Sequence, residues 1–224
     1  MCQLNVGNFF IFFSNAFERT ALTAEQEVLI AKLCEPAYSY ALLSKSDLTG
    51  DGLVAVCENP GNINLDNSNI KKLFEDAFER TALTAEQEVL IAKLCEPAYS
   101  YALLSKSDLT GDGLVAVCEN PGNINLDNYN IRKLFKETFE RTTLTTEQEV
   151  QIASLGKSTY SYALLSKSDL TSDGFVTVCE NPGPLNFENS NIQKWFTNAR
   201  KRVSLTEGQK NRIANSKVKR LNLF

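Results

Sequence analysis

The chain has 224 residues and a net charge of −4, with 43% hydrophobic and 22% charged residues. This composition excludes a disordered chain and supplies a sizeable core for one to three small domains. Histidine is absent and the six cysteines form no C-x-x-C pair, which removes the ligands of zinc fingers and the base of histidine-dependent catalysis. We therefore expect a protein that is not an enzyme, and no membrane span, because no run of about 20 apolar residues occurs.

A repeat of 61 residues organises the chain. Residues 16–67 are identical to residues 77–128, a diverged third copy begins at Thr138, and a fourth begins near Leu205. We divide the chain into a partial repeat end, three repeats and a truncated fourth repeat that forms a basic tail. Their bounds are 1–15, 16–76, 77–137, 138–204 and 205–224. The identity of the first two copies indicates a recent duplication.

Each period is predicted to be mainly helical. In repeat 2, apolar residues at helical spacing predict a helix over 69–80, and the capping-box sequence T-A-E-Q at Thr84 predicts a second helix. Pro97 stops or restarts the chain. Residues 99–105 are predicted as a helix, although alternation of large side chains leaves a strand open.

The second half of the period is predicted to be less regular. Residues 108–113 read as a turn, 114–118 as a strand or a helical turn, and 120–123 as a loop. Taken together, the pattern predicts an all-α fold of tandem small helical units. The cysteines are expected to be reduced and buried, because a disulfide within the repeat would not survive Gly156 replacing cysteine in the third copy.

The segment D-L-T-G-D-G-L-V-A-V-C-E at residues 108–119 resembles an EF-hand calcium loop. Oxygen-bearing side chains stand at alternate positions, a glycine permits the sharp turn, and a glutamate falls at the twelfth position. The resemblance implies calcium ligands in three periods. They are Asp47, Thr49, Asp51 and Glu58; Asp108, Thr110, Asp112 and Glu119; and Asp169, Thr171, Asp173 and Glu180. The alternative interpretation is an Asp-Gly turn that Asp and Thr side chains cap.

The charge of the chain is concentrated at its end. From Gln193 to Arg220 there are nine basic residues and one acid, a net charge of +8. The remaining 14 basic and 26 acidic residues give −12. An acidic body with a basic end indicates a segment that binds a polyanion, and a solvated tail is the alternative.

Residues 191–202, N-I-Q-K-W-F-T-N-A-R-K-R, carry the strongest pattern of the basic end. At helical spacing they present an apolar stripe that includes Trp195 and Phe196, and a second face with an amide and cations. Such a helix suits the major groove of DNA. The alternative interpretation is an amphipathic helix whose basic face is only solvated.

This motif resembles the recognition helix of an atypical, fungal or TALE-like homeodomain. R-T-T-L-T-T-E-Q at residues 141–148 is similar to the start of the first homeodomain helix. The resemblance implies a helix-turn-helix last unit, Trp195 and Phe196 as core anchors, and double-stranded DNA as the partner. The implied DNA-binding residues are Arg141, Lys194, Thr197, Asn198, Arg200, Lys201 and Arg202. Asn198 would read an adenine and Arg141 would enter the minor groove.

Departures from the homeodomain pattern lie between these two helices. The spacing to Trp195 is roughly ten residues longer than the resemblance implies. The bracing helix is predicted only over 175–180, because Pro182 and Pro184 follow it.

The leading functional prediction is a sequence-specific transcriptional regulator located in the nucleus, or else in the cytoplasm. Its acidic repeats would form a spacer or a surface for homo- or heterodimerisation. The first alternative is a calcium-binding repeat protein, with calcium as the one cofactor considered. The second is a helical repeat scaffold for protein partners.

Overall fold

The computed structural model describes residues 17–221 and residue 223. Within this part of the chain the backbone forms α-helices and no β-strand, which confirms the predicted all-α fold of helical units. The thirteen helices of the described residues are α1 (Ala24–Ala31), α2 (Pro36–Ser44), α3 (Gly50–Glu58), α4 (Ser68–Arg80), α5 (Ala85–Lys93), α6 (Pro97–Ser105), α7 (Gly111–Glu119), α8 (Tyr129–Arg141), α9 (Thr146–Ser154), α10 (Ser158–Ser166), α11 (Ser172–Glu180), α12 (Ser190–Arg202) and α13 (Glu207–Ala214). A 3₁₀ turn follows at Lys219–Leu221.

Four kinds of helix alternate along the chain with the 61-residue period. We name them after their sequences: the capping-box helices (α1, α5, α9, α13), the tyrosine helices (α2, α6, α10), the Asp–Thr helices (α3, α7, α11) and the long helices (α4, α8, α12). The long helices have 13 residues, and the others have eight or nine. Isolated helices of eight or nine residues are marginal in water, so packing must stabilise them.

Local sequence explains where the helices begin. Thr84 accepts a hydrogen bond from the backbone N–H of Gln87 at 3.3 Å, and the Gln87 side chain accepts one from the Thr84 N–H at 3.0 Å. This reciprocal capping box recurs at every capping-box helix. Asn128 caps α8 through its side-chain oxygen, and Pro97 occupies the first turn of α6, where its missing N–H costs nothing.

The first compact unit contains the described residues up to Leu109 together with Asn120–Asn123. Its helices pack in two layers, α1–α3–α5 and α2–α4–α6. Tyr99 of α6 joins the layers, since its ring lies 5.1 Å from the Phe74 ring and its hydroxyl donates to the Cys57 carbonyl oxygen at 3.1 Å. Burial raises the pKa of this hydroxyl.

The second compact unit contains Thr110–Glu119 and the described residues from Ile124 onward. Its layers are α7–α9–α11–α13 and α8–α10–α12. Tyr160 repeats the junction: its ring lies 5.2 Å from the Phe135 ring, and its hydroxyl donates to the Cys118 carbonyl oxygen at 3.0 Å. Each buried aromatic side chain of this kind contributes about 2 kcal/mol through burial alone.

The structure corrects one sequence prediction about local structure and decides two that were left open. Residues 111–113, predicted as part of a turn, are the first turn of α7, and residues 114–118 continue that helix rather than form a strand. The reason is that Thr110 caps the helix by accepting a hydrogen bond from the Gly113 N–H at 3.0 Å. Residues 99–105 are likewise helical, within α6.

The expectation that the cysteines are buried is correct for Cys57, Cys118 and Cys179 but wrong for Cys34 and Cys95, which are exposed. Cys2 lies outside the described residues. Cys34 and Cys95 have backbone φ angles of 55° and 57°. Their counterpart in the third repeat, Gly156, has a φ of 61°. The position ends a capping-box helix in the left-handed conformation that glycine adopts without strain, so glycine there is the conformationally favoured residue.

Candidate nucleic-acid interface

Helix α12 presents the predicted polar face to solvent. The helix begins at Ser190 because the Asn189 side chain accepts a hydrogen bond from the Asn191 N–H at 2.8 Å. Its inner face is buried through three side chains, Ile192, Phe196 and Ala199. Its outer face exposes four of the predicted DNA-binding residues, which are Lys194, Thr197, Asn198 and Lys201.

The lysines of this outer face lack the ion pairs that their counterparts make. Lys72 of α4 pairs with Asp76 at 2.9 Å, and Lys133 of α8 pairs with Glu137 at 3.6 Å. The fourth residue after Lys194 is Asn198, which carries no charge. Within the described residues, neither Lys194 nor Lys201 lies within 4.0 Å of a carboxylate. Both ammonium groups are therefore available to an external anion.

Arg202 makes structural contacts that its motif does not imply. Its Nη2 atom donates to the carbonyl oxygens of Leu165 at 2.6 Å and Lys167 at 3.2 Å, at the end of α10. Arg80, the last residue of α4 and two periods earlier, donates in the same way to the carbonyl oxygens of Leu43 and Lys45. A cation at a helix C-terminus satisfies carbonyl groups that have no partner within the helix. This arginine therefore ties a long helix to a tyrosine helix.

The other two predicted arginines, Arg200 and Arg141, do not lie with the lysines of the outer face of α12. Arg200 donates through Nη1 to the Val203 carbonyl oxygen at 3.1 Å, at the C-terminus of its own helix. Arg141 is exposed at the end of α8, in the repeat position that Arg80 and Arg202 occupy. The structure thus brings Lys194, Thr197, Asn198 and Lys201 together on one face and sets the three arginines apart from them.

Two further cations of the basic end are paired within the chain. Arg212 binds the Glu180 carboxylate with both ends of its guanidinium, at 2.9 and 2.8 Å, and Lys210 lies 2.5 Å from Glu207. Lys217, Lys219 and Arg220 are exposed. The net charge of +8 therefore overstates the number of cations that are free to bind a partner.

The residues of the EF-hand-like segments occupy separate positions in the fold. The first aspartate pairs with a buried lysine that precedes it by two residues: Asp47 with Lys45, and Asp169 with Lys167. Lys45 and Lys167 are each 1% exposed, so the aspartate neutralises a charge that burial would otherwise penalise. The hydrogen bond from Lys45 holds the pKa of Asp47 below its ordinary value. Asp108 pairs with Lys106 in the same way.

The threonine of each segment caps an Asp–Thr helix, and in the first and third segments it also binds a buried glutamate. The Thr171 side chain accepts from the Gly174 N–H at 3.1 Å. Its own hydroxyl and N–H donate to Glu149 Oε2 at 2.5 and 2.8 Å. Thr49 makes the same bonds with Glu27 at 2.5 and 3.0 Å. The hydroxyl is thus committed to two structural hydrogen bonds.

The last two acidic positions stand at opposite ends of a helix. Asp173 lies in the first turn of α11 and accepts from Gln209 Nε2 at 2.8 Å, whereas Glu180 is its last residue. Asp51 and Asp112 accept from Gln87 and Gln148 at 2.7 and 2.6 Å. A rise of about 1.5 Å per residue separates the ends of these helices by roughly 10 Å. Each aspartate therefore links an Asp–Thr helix to the next capping-box helix.

Glu58 and Glu119 end α3 and α7 as Glu180 ends α11. Glu119 accepts a hydrogen bond from Gln151 Nε2 at 2.6 Å. In the described part of the chain, no group of three or more His, Cys, Asp or Glu side chains is arranged to hold a metal ion. Calcium binding by these segments stays a prediction.

The segment between the two homeodomain-like motifs contains two helices. They are α10 and α11, and α11 begins at Ser172, three residues before the predicted bracing helix. Nine residues, 181–189, connect α11 to α12. A helix-turn-helix connects its helices through three or four residues. The connection before α12 is therefore longer than that of a helix-turn-helix, so the orientation of α12 relative to α11 need not follow that motif.

Sequence reasoning missed a cleft of about 710 Å³ between α8, α10 and α12. Trp195, expected to be a core anchor, is partly exposed at this cleft, and its ring lies 4.4 Å from the Tyr162 ring. Phe196 is fully buried, as expected. Comparison of the repeats could have revealed the cleft. Trp195 corresponds to Leu134 one period earlier, and other cleft residues also differ from their counterparts.

Comparisons with profiles of known protein families, with curated proteins and with solved structures find no match for this chain. None of the helices in the described residues has the length and apolar character needed to span a membrane.

Proposed function

We propose that the chain is a helical-repeat protein that binds double-stranded DNA through the outer face of α12. The supporting observation is that Lys194, Asn198 and Lys201 are exposed together and that both lysines lack ion pairs among the described residues. Asn can pair bidentately with adenine and lysines neutralise phosphates. The acidic upstream repeats act as a spacer or dimerisation surface, and the proposal implies a regulator that works in the nucleus.

The role of each residue follows from its surroundings. Lys194 and Lys201 contribute affinity that is independent of sequence, and Asn198 and Thr197 contribute base discrimination. Arg200 and Arg202 contribute stability, because their guanidinium groups bind backbone carbonyl oxygens.

The test is titration of the full chain with random duplex DNA at several salt concentrations. Affinity should fall as salt rises, and Lys201→Ala should reduce the slope of log affinity against log salt by about 1. Asn198→Ala should reduce discrimination between sequences selected from a random pool. Absence of duplex binding at low salt refutes the proposal.

Arg202→Ala is the matched comparison for Lys201→Ala, because the two residues are neighbours. We expect Arg202→Ala to lower the free energy of unfolding by about 1–2 kcal/mol, while Lys201→Ala leaves it within about 0.5 kcal/mol. Chemical denaturation of both variants measures the difference. Equal stability of the two variants would remove the structural assignment of Arg202.

A scaffold for protein partners is the second candidate. Three leucines of the first unit are unusually exposed: Leu29 by 64%, Leu33 by 59% and Leu90 by 50%. Leu29 and Leu90 also line a shared groove with Val28 and Val54. Clustered apolar surface of this kind marks interaction sites. A partner that binds the full chain and is lost on leucine replacement would support this candidate.

Calcium binding remains the third candidate from the sequence. Calorimetry of the full chain with calcium decides it, and absence of heat at millimolar calcium removes it.

A further inference from the structure

The cleft between α8, α10 and α12 combines aromatic rings with cations. Tyr162 and Trp195 form one wall, with ring centroids 4.4 Å apart and planes inclined at 47°. Tyr129 stands at the cleft with 78% of its surface exposed. Protein sites for small ligands commonly occupy about 300–1,000 Å³, so the volume of about 710 Å³ suits a ligand of nucleotide size.

One cation of the cleft is available to a ligand. Arg132 pairs with Asp127 at 2.9 Å and Lys133 pairs with Glu137 at 3.6 Å. Lys136 lines the same cleft and makes no ion pair within the described residues. The Arg132 Nε atom is buried and has no hydrogen-bond partner in this part of the chain. An anion beside Lys136 would therefore meet an ammonium group that no carboxylate of the described residues neutralises.

These features of the cleft differ as a set from the matching residues one period earlier. At the positions of Tyr129, Lys136 and Trp195, the preceding period has Ser68, Glu75 and Leu134. The cleft has three cations and two carboxylates, a net charge of +1. The matching residues one period earlier are two cations (Lys71, Lys72) and three carboxylates (Asp66, Glu75, Asp76), a net charge of −1. Core packing does not require these changes, because all three side chains keep solvent exposure.

We propose that this cleft binds an unpaired nucleotide, with the base stacked on Trp195 and Tyr129 and the phosphate beside Lys136. Aromatic rings stack on any base face, and a nearby cation holds the phosphate. The nucleotide comes either free or as part of a single strand. The site goes beyond the proposed duplex contact, since Asn198 and Lys201 on the outer face of α12 do not line the cleft.

Tryptophan fluorescence of the full chain tests the site directly, because Trp195 is the single tryptophan in the sequence. Adenosine monophosphate should quench it saturably. Adenosine, which lacks the phosphate, and ribose 5-phosphate, which lacks the base, should each bind on the order of tenfold more weakly. A single-stranded 12-mer that binds far more tightly identifies a strand as the source, and equal affinity identifies the free nucleotide.

Lys136→Glu restores the residue of the preceding repeat and should weaken binding at least on the order of tenfold. Lys93→Glu, at an exposed position in α5, is the control and should bind as the unmodified protein does. Trp195→Leu, followed by calorimetry, should abolish binding while circular dichroism confirms an unchanged fold. Duplex affinity should respond to neither Lys136→Glu nor Trp195→Leu beyond a change in net charge, which keeps the two proposals separable.

Three results would overturn the proposal. One is no saturable quenching by adenosine monophosphate or the single strand at millimolar concentration. Another is unchanged affinity in Lys136→Glu. The third is stronger quenching by phosphotyrosine than by the nucleotide, which would assign the cleft to a phosphorylated peptide.

Discussion

Glu149 shows how a single residue can be both costly and necessary. Its carboxylate is fully buried, and one oxygen, Oε2, accepts two hydrogen bonds from Thr171. The other oxygen, Oε1, has no hydrogen-bond partner among the described residues. Burial raises the pKa of Glu149 above its ordinary value of 4.5, although the Thr171 hydrogen bonds oppose the shift. The carboxylate thus organises the start of α11 at the cost of a desolvated charge.

This cost predicts a pH dependence of stability. Since the folded-state pKa exceeds the unfolded one, the folded state holds the proton more tightly. The contribution of Glu149 to stability is therefore greatest below pH 4.5 and falls as the pH rises through the folded-state pKa. Glu149→Gln should therefore gain stability relative to the unmodified protein as the pH rises from 4.5 to neutrality.

Urea denaturation at several pH values measures this gain. Glu147→Gln is the control, because it removes an exposed carboxylate of the same helix and leaves the buried one in place. A stability difference for Glu149→Gln that stays flat or falls with pH contradicts the assignment of the cost to the buried charge.

At the scale of the helix, two glycines that each lie in a first helical turn should respond oppositely to replacement by alanine. A Cβ atom at Gly174 of α11 would lie 2.5 Å from Glu149 Oε2 and 3.1 Å from Glu149 Cβ. At Gly208 of α13, the nearest atom would be Thr206 Oγ1 at 3.9 Å. Gly174 therefore permits the close approach of the glutamate, whereas Gly208 has open space around it.

Gly174→Ala should lower the free energy of unfolding by about 1–3 kcal/mol, because the glutamate must move and loses its bonds to Thr171. Gly208→Ala should raise it by about 0.5–1 kcal/mol through the higher helix propensity of alanine. Thermal and denaturant unfolding of the two variants give both values. Stabilisation by Gly174→Ala would show that α9 packs against α11 more loosely than these distances indicate.

The predictability of the elements follows from the range of the interactions involved. The capping box at Thr84 and the apolar stripe of α4 are local, so the sequence was sufficient to predict α4 and α5. Helix α7 was ambiguous, because it has only nine residues and every residue from Gly113 to Cys118 is buried. Helical and strand periodicity cannot be distinguished in such a segment.

The candidate site was only partly predictable, because some of its side chains bind segments that are distant in sequence. Lys194 and Lys201 were identified correctly as exposed, since helical spacing alone defines the outer face of α12. Arg202 was assigned to DNA although its partners lie 35 and 37 residues away. The recurrence of arginine at positions 80, 141 and 202 was the signal for a structural role.

For the whole molecule, the repeat carries a gradient of charge along the chain. The outer positions of α4 hold one lysine and three carboxylates, a net charge of −2. Those of α8 hold two lysines and two carboxylates, which cancel. Those of α12 hold two lysines and no carboxylate, a net charge of +2. By contrast, the Glu–Thr hydrogen bonds and the pairs between a buried lysine and an aspartate are the same in the first and third repeats. Surface positions have diverged on a framework whose internal contacts are the same, so different repeats can serve different partners.

The position of Leu90 follows the same gradient and supports a final prediction. Its counterparts in the later repeats are Gln151, which binds Glu119 at 2.6 Å, and Arg212, which binds Glu180 at 2.8–2.9 Å. Leu90 faces Glu58 across the groove of the first unit. Leu90→Gln should therefore form the corresponding hydrogen bond to Glu58, and stability should change by no more than about 0.5 kcal/mol.

If the exposed leucines serve a protein interface, Leu90→Gln should weaken self-association or partner binding and leave duplex affinity unchanged. Sedimentation velocity over a range of concentrations reports the first quantity, and duplex titration the second. Glu58→Gln in the unmodified background removes a charge from the same groove without removing apolar surface, so it should preserve association. Loss of association in both variants would indicate a polar contact, because apolar area lost from Leu90 could then not be the common cause.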